Sequence, residues 1–295
     1  MKKIHPMKIP TIIKVLVENS VLRAGLTAEH GLAFWIQSGS QHIIFDTGQT
    51  GLITTNAANL GIAIETVNVI ALSHGHYDHT GGLAHLLKDT VQKIDVYIHP
   101  DGLLPKYHCV NSSARNVGIP QDSLNALHRE NVSLNKVDKP VEIAPGIFLT
   151  GEIPRIHPDE EASGGFYQNL QCTETDHLMD DQSIYFTAPQ GVVVLLGCTH
   201  SGVVNTLKHI RNLTHGAPFY IIAGGMHLGS VSDDRLKWTI SMLKEFNIQK
   251  NFPMHCTGIK AISALWNAFQ GKCFPCGVGT EIKVMINNNT VENPR

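Results

Sequence analysis

Nine short runs rich in β-branched and aromatic residues punctuate the chain: IIKVLVEN, LAFWIQ, HIIFDTG, VNVIALS, DVYIHP, GIFLTGE, SIYFTA, GVVVLLG and FYIIAGG. Such runs, broken by turn-forming and polar residues, predict strands. Between several of them, apolar positions recur three and four apart, in GLAHLLKDT, VVNTLKHIRNL, DRLKWTISMLKEF and IKAISALWNAF. That spacing predicts amphipathic helices. Residues 12–46 are strand-rich and hairpin-like, whereas the later chain alternates strand with helix. Two packed sheets with helices outside accommodate both halves more economically than one doubly wound sheet, so a four-layer α/β architecture is predicted. Residues 101–181 break the rhythm, with few clear strands and with prolines, glycines and polar clusters such as HPDEEASGGFYQ. Long irregular stretches in compact domains are commonly functional, so this one reads as an elaborated insertion near a site within a single domain spanning 1–295. The polar tail NNNTVENPR is expected to fray.

Composition narrows the partners. The 295 residues are 42% hydrophobic and 16% charged, with a net charge of -2. A pI of 6.8 gives no global field to recruit nucleic acid or an anionic membrane, so a small-molecule substrate is the expected partner. The longest apolar runs are much shorter than a spanning helix, and MKKIHPMKIP lacks the apolar stretch of a signal peptide, which places the protein in the cytoplasm as an expectation. Six cysteines without regular spacing read as reduced thiols. The outlying count is histidine, at 17.

Three of those histidines and an aspartate crowd into SHGHYDHTGG, directly after the apolar run VNVIAL. His74 and His76 lie two apart, so in an extended segment both imidazoles point the same way and can share one ion, with Gly75 adding no bulk between them. Asp78 and His79 follow at the turn into a helix expected near Thr80 and can hold a second ion. Gly81 and Gly82 would let the backbone approach the site. Imidazole together with carboxylate suits zinc or iron better than calcium or magnesium. A lone histidine on a polar turn is ordinarily just solvated; four potential ligands in six residues at a strand end are not explained that way.

SHGHYDHTGG resembles the signature loop of the metallo-β-lactamase fold superfamily, and IIFDTG resembles its first motif, in which an aspartate, here Asp46, ends a strand beside the metals. The resemblance implies an αββα sandwich with a metal pair at one edge of the two sheets, and covers residues 101–181 only loosely. It also implies further ligands at later strand ends. His255 matches the last of these. The usual Gly-Asp is replaced by Gly197-Cys198, followed by His200. Either the Cys198 thiolate takes the carboxylate's place or Cys198 is a packed small residue and His200 reaches the metal; His200 is the assigned ligand. His177, Asp180 and Asp181 are candidates for a missing upstream ligand. His227, after two glycines, is assigned to substrate. Cys256 would face away from His255 on an extended strand and is read as structural. Cys273 and Cys276 form an isolated C-x-x-C, too few ligands for a zinc site.

A metal pair brings the pKa of bound water to about 7, so hydrolysis of an ester, lactone or phosphodiester is expected, with Asp78 orienting or deprotonating the water and Asp46 steering a histidine ligand. Two divalent ions, zinc first and manganese or iron as alternatives, are the expected cofactors. The set EHGLAFWI, HGHYDHTGGL, TGEIPR, DDQS, GCTHSGVVN, AGGMHLG and HCTG is similar to the branch named for 7,8-dihydropterin-6-yl-methyl-4-(β-D-ribofuranosyl)aminobenzene 5'-phosphate synthase. That likeness implies a transferase displacing diphosphate as a variant of the same chemistry. Arg155 could bind phosphate through its planar fork, or be a solvated loop residue. Two other classes stand against the hydrolase. In diiron redox relatives a carboxylate is expected where this chain has Gly75, and no flavodoxin-like extension is present. A non-catalytic member would have to retain imidazole and carboxylate in a cleft without metal, at a cost in stability.

Overall fold

The computed structural model describes residues 7–88, 90–111, 113–160 and 164–288. In chain order the elements are β1 (Met7–Val17), β2 (Ala33–Ser38), β3 (Gln41–Phe45), α1 (Leu52–Asn59), β4 (Val69–Ala71), α2 (Tyr77–Thr80), α3 (Leu83–Lys88) and β5 (Ile94–Ile98). Then come β6 (Tyr107–Val110), β7 (Ser113–Asn116), α4 (Gln121–Ala126), β8 (Val132–Lys136), β9 (Val141–Ala144), β10 (Ile147–Leu149) and β11 (Phe166–Tyr167). The last third holds β12 (Ile184–Ala188), β13 (Gly191–Leu196), α5 (Val203–Leu213), β14 (Phe219–Gly224), α6 (Asp233–Glu245), β15 (Lys250–Pro253), α7 (Ile259–Ala268) and β16 (Glu281–Asn288). All nine predicted strands and four predicted helices form where the pattern placed them.

Seven strands make one sheet, ordered β16-β1-β2-β3-β4-β5-β8, and six make a second, ordered β15-β14-β13-β12-β10-β9. Alternation along the strands explains their stacking. In β2, Phe34 and Ile36 face the core between the sheets, while Ala33 and Trp35 face α1, α3 and α4. In β13, Val193 and Leu195 face inward, while Val192, Val194 and Leu196 face α5, α6 and α7. Both faces of each sheet are therefore buried, which requires an apolar residue at nearly every position and produces the αββα order of layers.

The sheets mix directions, and this positions the site. β3, β4, β5 and β8 run parallel to one another, and so do β13, β14 and β15. The carboxyl ends of parallel strands are where open α/β sheets gather ligands.

Residues 101–181 hold more strand than expected. β11, β6 and β7 form a third, three-stranded sheet, and β8, β9 and β10 join the main sheets. The insertion is tied down by buried charge. Lys106 Nζ donates to Asp176 (2.9 Å) and Asp180 (3.0 Å), and Asp180 also accepts from the Gly75 backbone N–H at 2.7 Å. Glu160 accepts from the backbone N–H groups of Val204 and Asn205 at the start of α5, where a helix presents its unpaired donors. Cys109 and Cys172 are joined in a disulfide with a Cα–Cα distance of 6.4 Å, which corrects the expectation of six reduced thiols. The two are 63 residues apart in sequence, and the pairing of β6 with β11 brings their segments side by side. Cys198, Cys256, Cys273 and Cys276 are free. The expectation for the tail concerns mostly 289–295, which lie outside the described residues. Among the described residues, no helix is long and apolar enough to cross a membrane.

Candidate metal centre

Five strand ends converge at one rim of the sandwich: Asp46 follows β3, residues 73–79 follow β4, Cys198 and His200 follow β13, His227 follows β14, and His255 follows β15. The turns are tight enough to force left-handed backbone on non-glycine residues, with φ of 60° at Asp46, 47° at His227 and 53° at His255. Such conformations cost on the order of 1–3 kcal/mol each and persist where surrounding structure dictates them.

Hydrogen bonds fix which way each imidazole offers its lone pair. Ser73 Oγ donates to Asp46 Oδ2 at 2.7 Å, so the Ser73 oxygen, 2.8 Å from His74 Nδ1, is left to accept. His74 therefore carries its proton on Nδ1, and its Nε2 lone pair points inward, 3.0 Å from His76 Nδ1. His79 Nδ1 lies 2.6 Å from Asp46 Oδ2 and His255 Nδ1 lies 3.0 Å from Asn19 Oδ1, so both also donate outward. Their Nε2 atoms then face each other at 3.2 Å. Asp78 Oδ2 closes the group, 3.6 Å from His79 Nε2 and 3.4 Å from His255 Nε2, and Cys198 Sγ lies 3.1 Å from His79 Nε2. Inward lone pairs at such separations repel unless a cation or proton lies among them. Ligand nitrogens about 2.1 Å from a common tetrahedral ion would be about 3.4 Å apart, so the arrangement fits a metal.

Further donors extend the group. Both ring nitrogens of His200 and Nε2 of His76 are buried and lack a hydrogen-bond partner among the described residues, which is costly for polar atoms unless something binds them. The His200 ring lies 4.8 Å from that of His74, 4.9 Å from that of His76 and 4.3 Å from that of His227. Donor atoms fall within 4.8 Å of one another in the sets His74/His76/His200, His74/His79/Cys198, Cys198/His200/His227 and His30/Asp78/His255.

Burial, reinforced by neighbouring imidazoles, holds His74 and His200 far below the usual histidine pKa. Burial likewise takes His76 down to about 3. All three are thus neutral at pH 7, the form in which an imidazole can ligate a metal. His79 is the exception: burial disfavours its charge, but Asp46 and Asp78 outweigh it and raise the pKa to about 9. A proton at this position stands in for a cation. Burial also works against the charge on Asp78, yet His79, His255 and His30 hold its carboxyl well below the ordinary range.

The structure thus gathers His74, His76, Asp78, His79, His200 and His255, and it places Cys198 and His227 in the same group. Arg155 sits apart, its guanidinium donating to the backbone carbonyls of His200, His177 and Leu178. The His177 side chain is exposed and Asp180 is engaged by Lys106 and Gly75. Asp181 accepts from the Ser201 N–H at 2.9 Å, and burial pushes its pKa up to about 6. Three expectations need correction. Helix α2 begins at Tyr77, so Asp78 and His79 lie in its first turn. Gly81 and Gly82 do not approach the site: a Cβ on either would fall 2.1 Å from the carbonyl oxygen of Gln49 or Thr47, so they pack this helix against the loop after β3. Cys256 does not face away, because the chain leaves β15 at Pro253 and turns at His255–Thr257. Its sulfur thereby joins Cys198 and His255 in another donor set. The sequence reading missed His30, whose Nε2 lies 3.2 Å from Asp78 Oδ2; its signal was the EHGLAFWI segment. Asp46 touches both Ser73 and His79, so Asp46→Asn should lower metal affinity about 10–100-fold, the range for partners that orient ligands, as read by competition with a chelator.

The profile of the metallo-beta-lactamase superfamily matches residues 26–207. An uncharacterized protein of Methanocaldococcus jannaschii is 30% identical over 261 residues, covering 86% of this chain and 93% of its own. From the same organism, 7,8-dihydropterin-6-methyl-4-(beta-D-ribofuranosyl)-aminobenzene-5'-phosphate synthase is 28% identical over 260 residues, covering 82% of this chain and 86% of its own. The crystal structure of Tm1679, described as a metal-dependent hydrolase of the beta-lactamase superfamily, has a TM-score of 0.79 at 28% identity and covers 92% of this chain and 98% of that one. Family profile, layer order and strand-end donors agree, and the chain belongs to the metallo-β-lactamase superfamily, whose fold implies divalent-metal binding.

Proposed function

We propose that the protein is a binuclear metal-dependent hydrolase acting on a phosphate-bearing or ester small molecule. The observation that carries this reading is the convergence of outward-protonated imidazoles, which leaves the Nε2 lone pairs of His74, His79 and His255 facing inward beside Asp78. The donors exceed what one tetrahedral ion takes. His74, His76 and His200 would hold one ion, and Asp78, His79 and His255 a second, with Cys198 between them. The mix of imidazole, carboxylate and thiol favours zinc, with manganese or iron as alternatives. When bound, such ions supply a hydroxide at neutral pH and stabilise charge developing on oxygen.

The chain's own groups then divide the remaining work. Asp78, kept ionised, would orient the nucleophile through Oδ2 as its proton leaves. His30, half-exposed and hydrogen-bonded to that oxygen, can relay the proton to solvent. The hydrogen bond to Asp78 leads the causes that raise the pKa of His30 above its ordinary value, which suits a relay near neutral pH. Phe166 stacks on His76 at 5.1 Å and packs edge-on to His200 at 5.5 Å, excluding water from that side.

A transferase displacing diphosphate is the second reading, supported by the likeness to the dihydropterin synthase over most of both chains. The diiron redox reading loses ground at position 75. A Cβ there would lie 2.1 Å from the Gly102 carbonyl oxygen, leaving no room for a carboxylate side chain. The test is metal analysis of protein purified without added ions, with turnover of bis(p-nitrophenyl) phosphate measured before and after chelation. Two equivalents of zinc or manganese and chelator-sensitive turnover are expected. Bound iron with a visible absorbance band would favour the redox class, and an empty, inactive protein would favour a binding role.

A further inference from the structure

Beyond the candidate metal donors, the cavity of about 210 Å³ over them contains one Lys or Arg side chain among the described residues, and it comes from the insertion: Arg115, on β7. Arg115 is directly opposite His108 in the antiparallel β6–β7 pair, so the two side chains emerge on the same face of the hairpin. Both line the cavity that also contains His76, Asp78 and His200. The hairpin is held over the metal loop by main-chain bonds, Tyr77 N–H to Val117 O at 3.0 Å and Val117 N–H to Lys106 O at 2.9 Å. The buried Lys106 pair with Asp180 reinforces this.

The Arg115 guanidinium lies 4.9 Å from the centre of the Tyr77 ring. Stacking on a ring engages the face of the guanidinium and leaves its N–H donors, which lie in the plane, free to point elsewhere. No carboxylate or carbonyl among the described residues takes them. Arg155 shows the contrast, since three backbone carbonyls occupy its fork. The single carboxylate in the cavity wall among the described residues, Asp78, is engaged by three imidazoles. The cavity mouth thus presents a guanidinium fork with no carboxylate partner among the described residues, beside the imidazole of His108.

We propose that Arg115 and His108 form an anchor for a phosphomonoester group on the substrate, distinct from the bond that is broken at the metals. This rests on the hydrolase or transferase reading above and narrows its substrate class to organic phosphates carrying a second, recognised anion. A guanidinium fork and an adjacent imidazole offer more donors than the two oxygens of a carboxylate require, and they match the three peripheral oxygens of a phosphomonoester. Arg115 belongs to recognition; no bond is made or broken at it.

The anchor is tested with phenyl phosphate titrated calorimetrically into the metal-loaded protein, with benzoate as the competing anion class. Arg115→Ala should weaken phenyl phosphate binding about tenfold or more, equivalent to about 1.4 kcal/mol. Arg115→Lys should recover part of the loss, because it keeps charge but not the fork. Arg115 is exposed, and Arg115→Gln, which keeps length and loses charge, serves if the alanine variant fails to fold. Equal affinity in wild type and variants, absence of wild-type binding at millimolar ligand, or benzoate binding as tightly as phenyl phosphate would each overturn the proposal. Arg115-dependent binding without hydrolysis of the chromogenic diester would instead sink the hydrolase reading and leave the anchor standing. Chelator-sensitive hydrolysis with Arg115-independent binding would do the reverse.

Discussion

His76→Ala is expected to lose bound metal on purification and to lower turnover by far more than a hundredfold, while the αββα fold survives. The magnitude follows from a comparison: losing a residue that merely orients a ligand costs about 10–100-fold in affinity or activity, and His76 offers a ligand atom itself. Its ring is fully buried, with burial bringing the pKa to about 3, so at neutral pH it contributes a lone pair and no charge. Nε2 has no protein partner. Truncation removes one side-chain contact, that of Nδ1 with His74 Nε2 inside the site, and the stacking with Phe166 is the main packing loss. Metal content by mass spectrometry and a far-ultraviolet dichroism spectrum separate the two effects. A variant that keeps its metal and turns over like the parent would remove His76 from the site.

The main architecture was legible because its strands are buried on both faces. GVVVLLG and FYIIAGG are apolar at almost every position, and this is what a sheet covered by another sheet on one side and helices on the other requires. The strands of the insertion were not legible for the opposite reason. Tyr107–Val110 and Ser113–Asn116 are partly or fully exposed, so no apolar alternation marks them, and the pairing of Tyr107–Val110 with Phe166–Tyr167 joins segments far apart in sequence. The 74–79 cluster was legible because its ligands are adjacent in sequence. His30, His227 and Cys256 enter the group from turns with unusual backbone or from distant loops, and an assumption of extended chain at 255–256 pointed Cys256 the wrong way. The tautomers of His74, His79 and His255 depend on Ser73, Asp46 and Asn19, and such outward partners become evident only when the strand ends are side by side. Asp46 is the exception, since its position at the end of IIFDTG already suggested a role in steering a ligand.

Gly75→Ala should be nearly as damaging as removing a ligand, although glycine contributes no donor atom to the metals. Its backbone N–H is bonded to Asp180 at 2.7 Å, and a Cβ would meet the Gly102 carbonyl oxygen at 2.1 Å and its carbonyl carbon at 2.9 Å. Backbone on one side and a buried charge network on the other leave no flexible side chain to yield. The loop carrying His74 and His76 must then move as a unit, and a displacement near 1 Å in a site of this kind costs about a hundredfold. Because the obstacle is main chain, added metal should not restore the variant, whereas a variant weakened only in affinity would recover at high metal concentration. Titration of turnover with zinc therefore discriminates: a curve that saturates well below the parent supports the clash, and full recovery would show that the loop tolerates a side chain at 75. The same packing leaves no room for a larger side chain at this position, so the substitution tests the geometry of the loop directly.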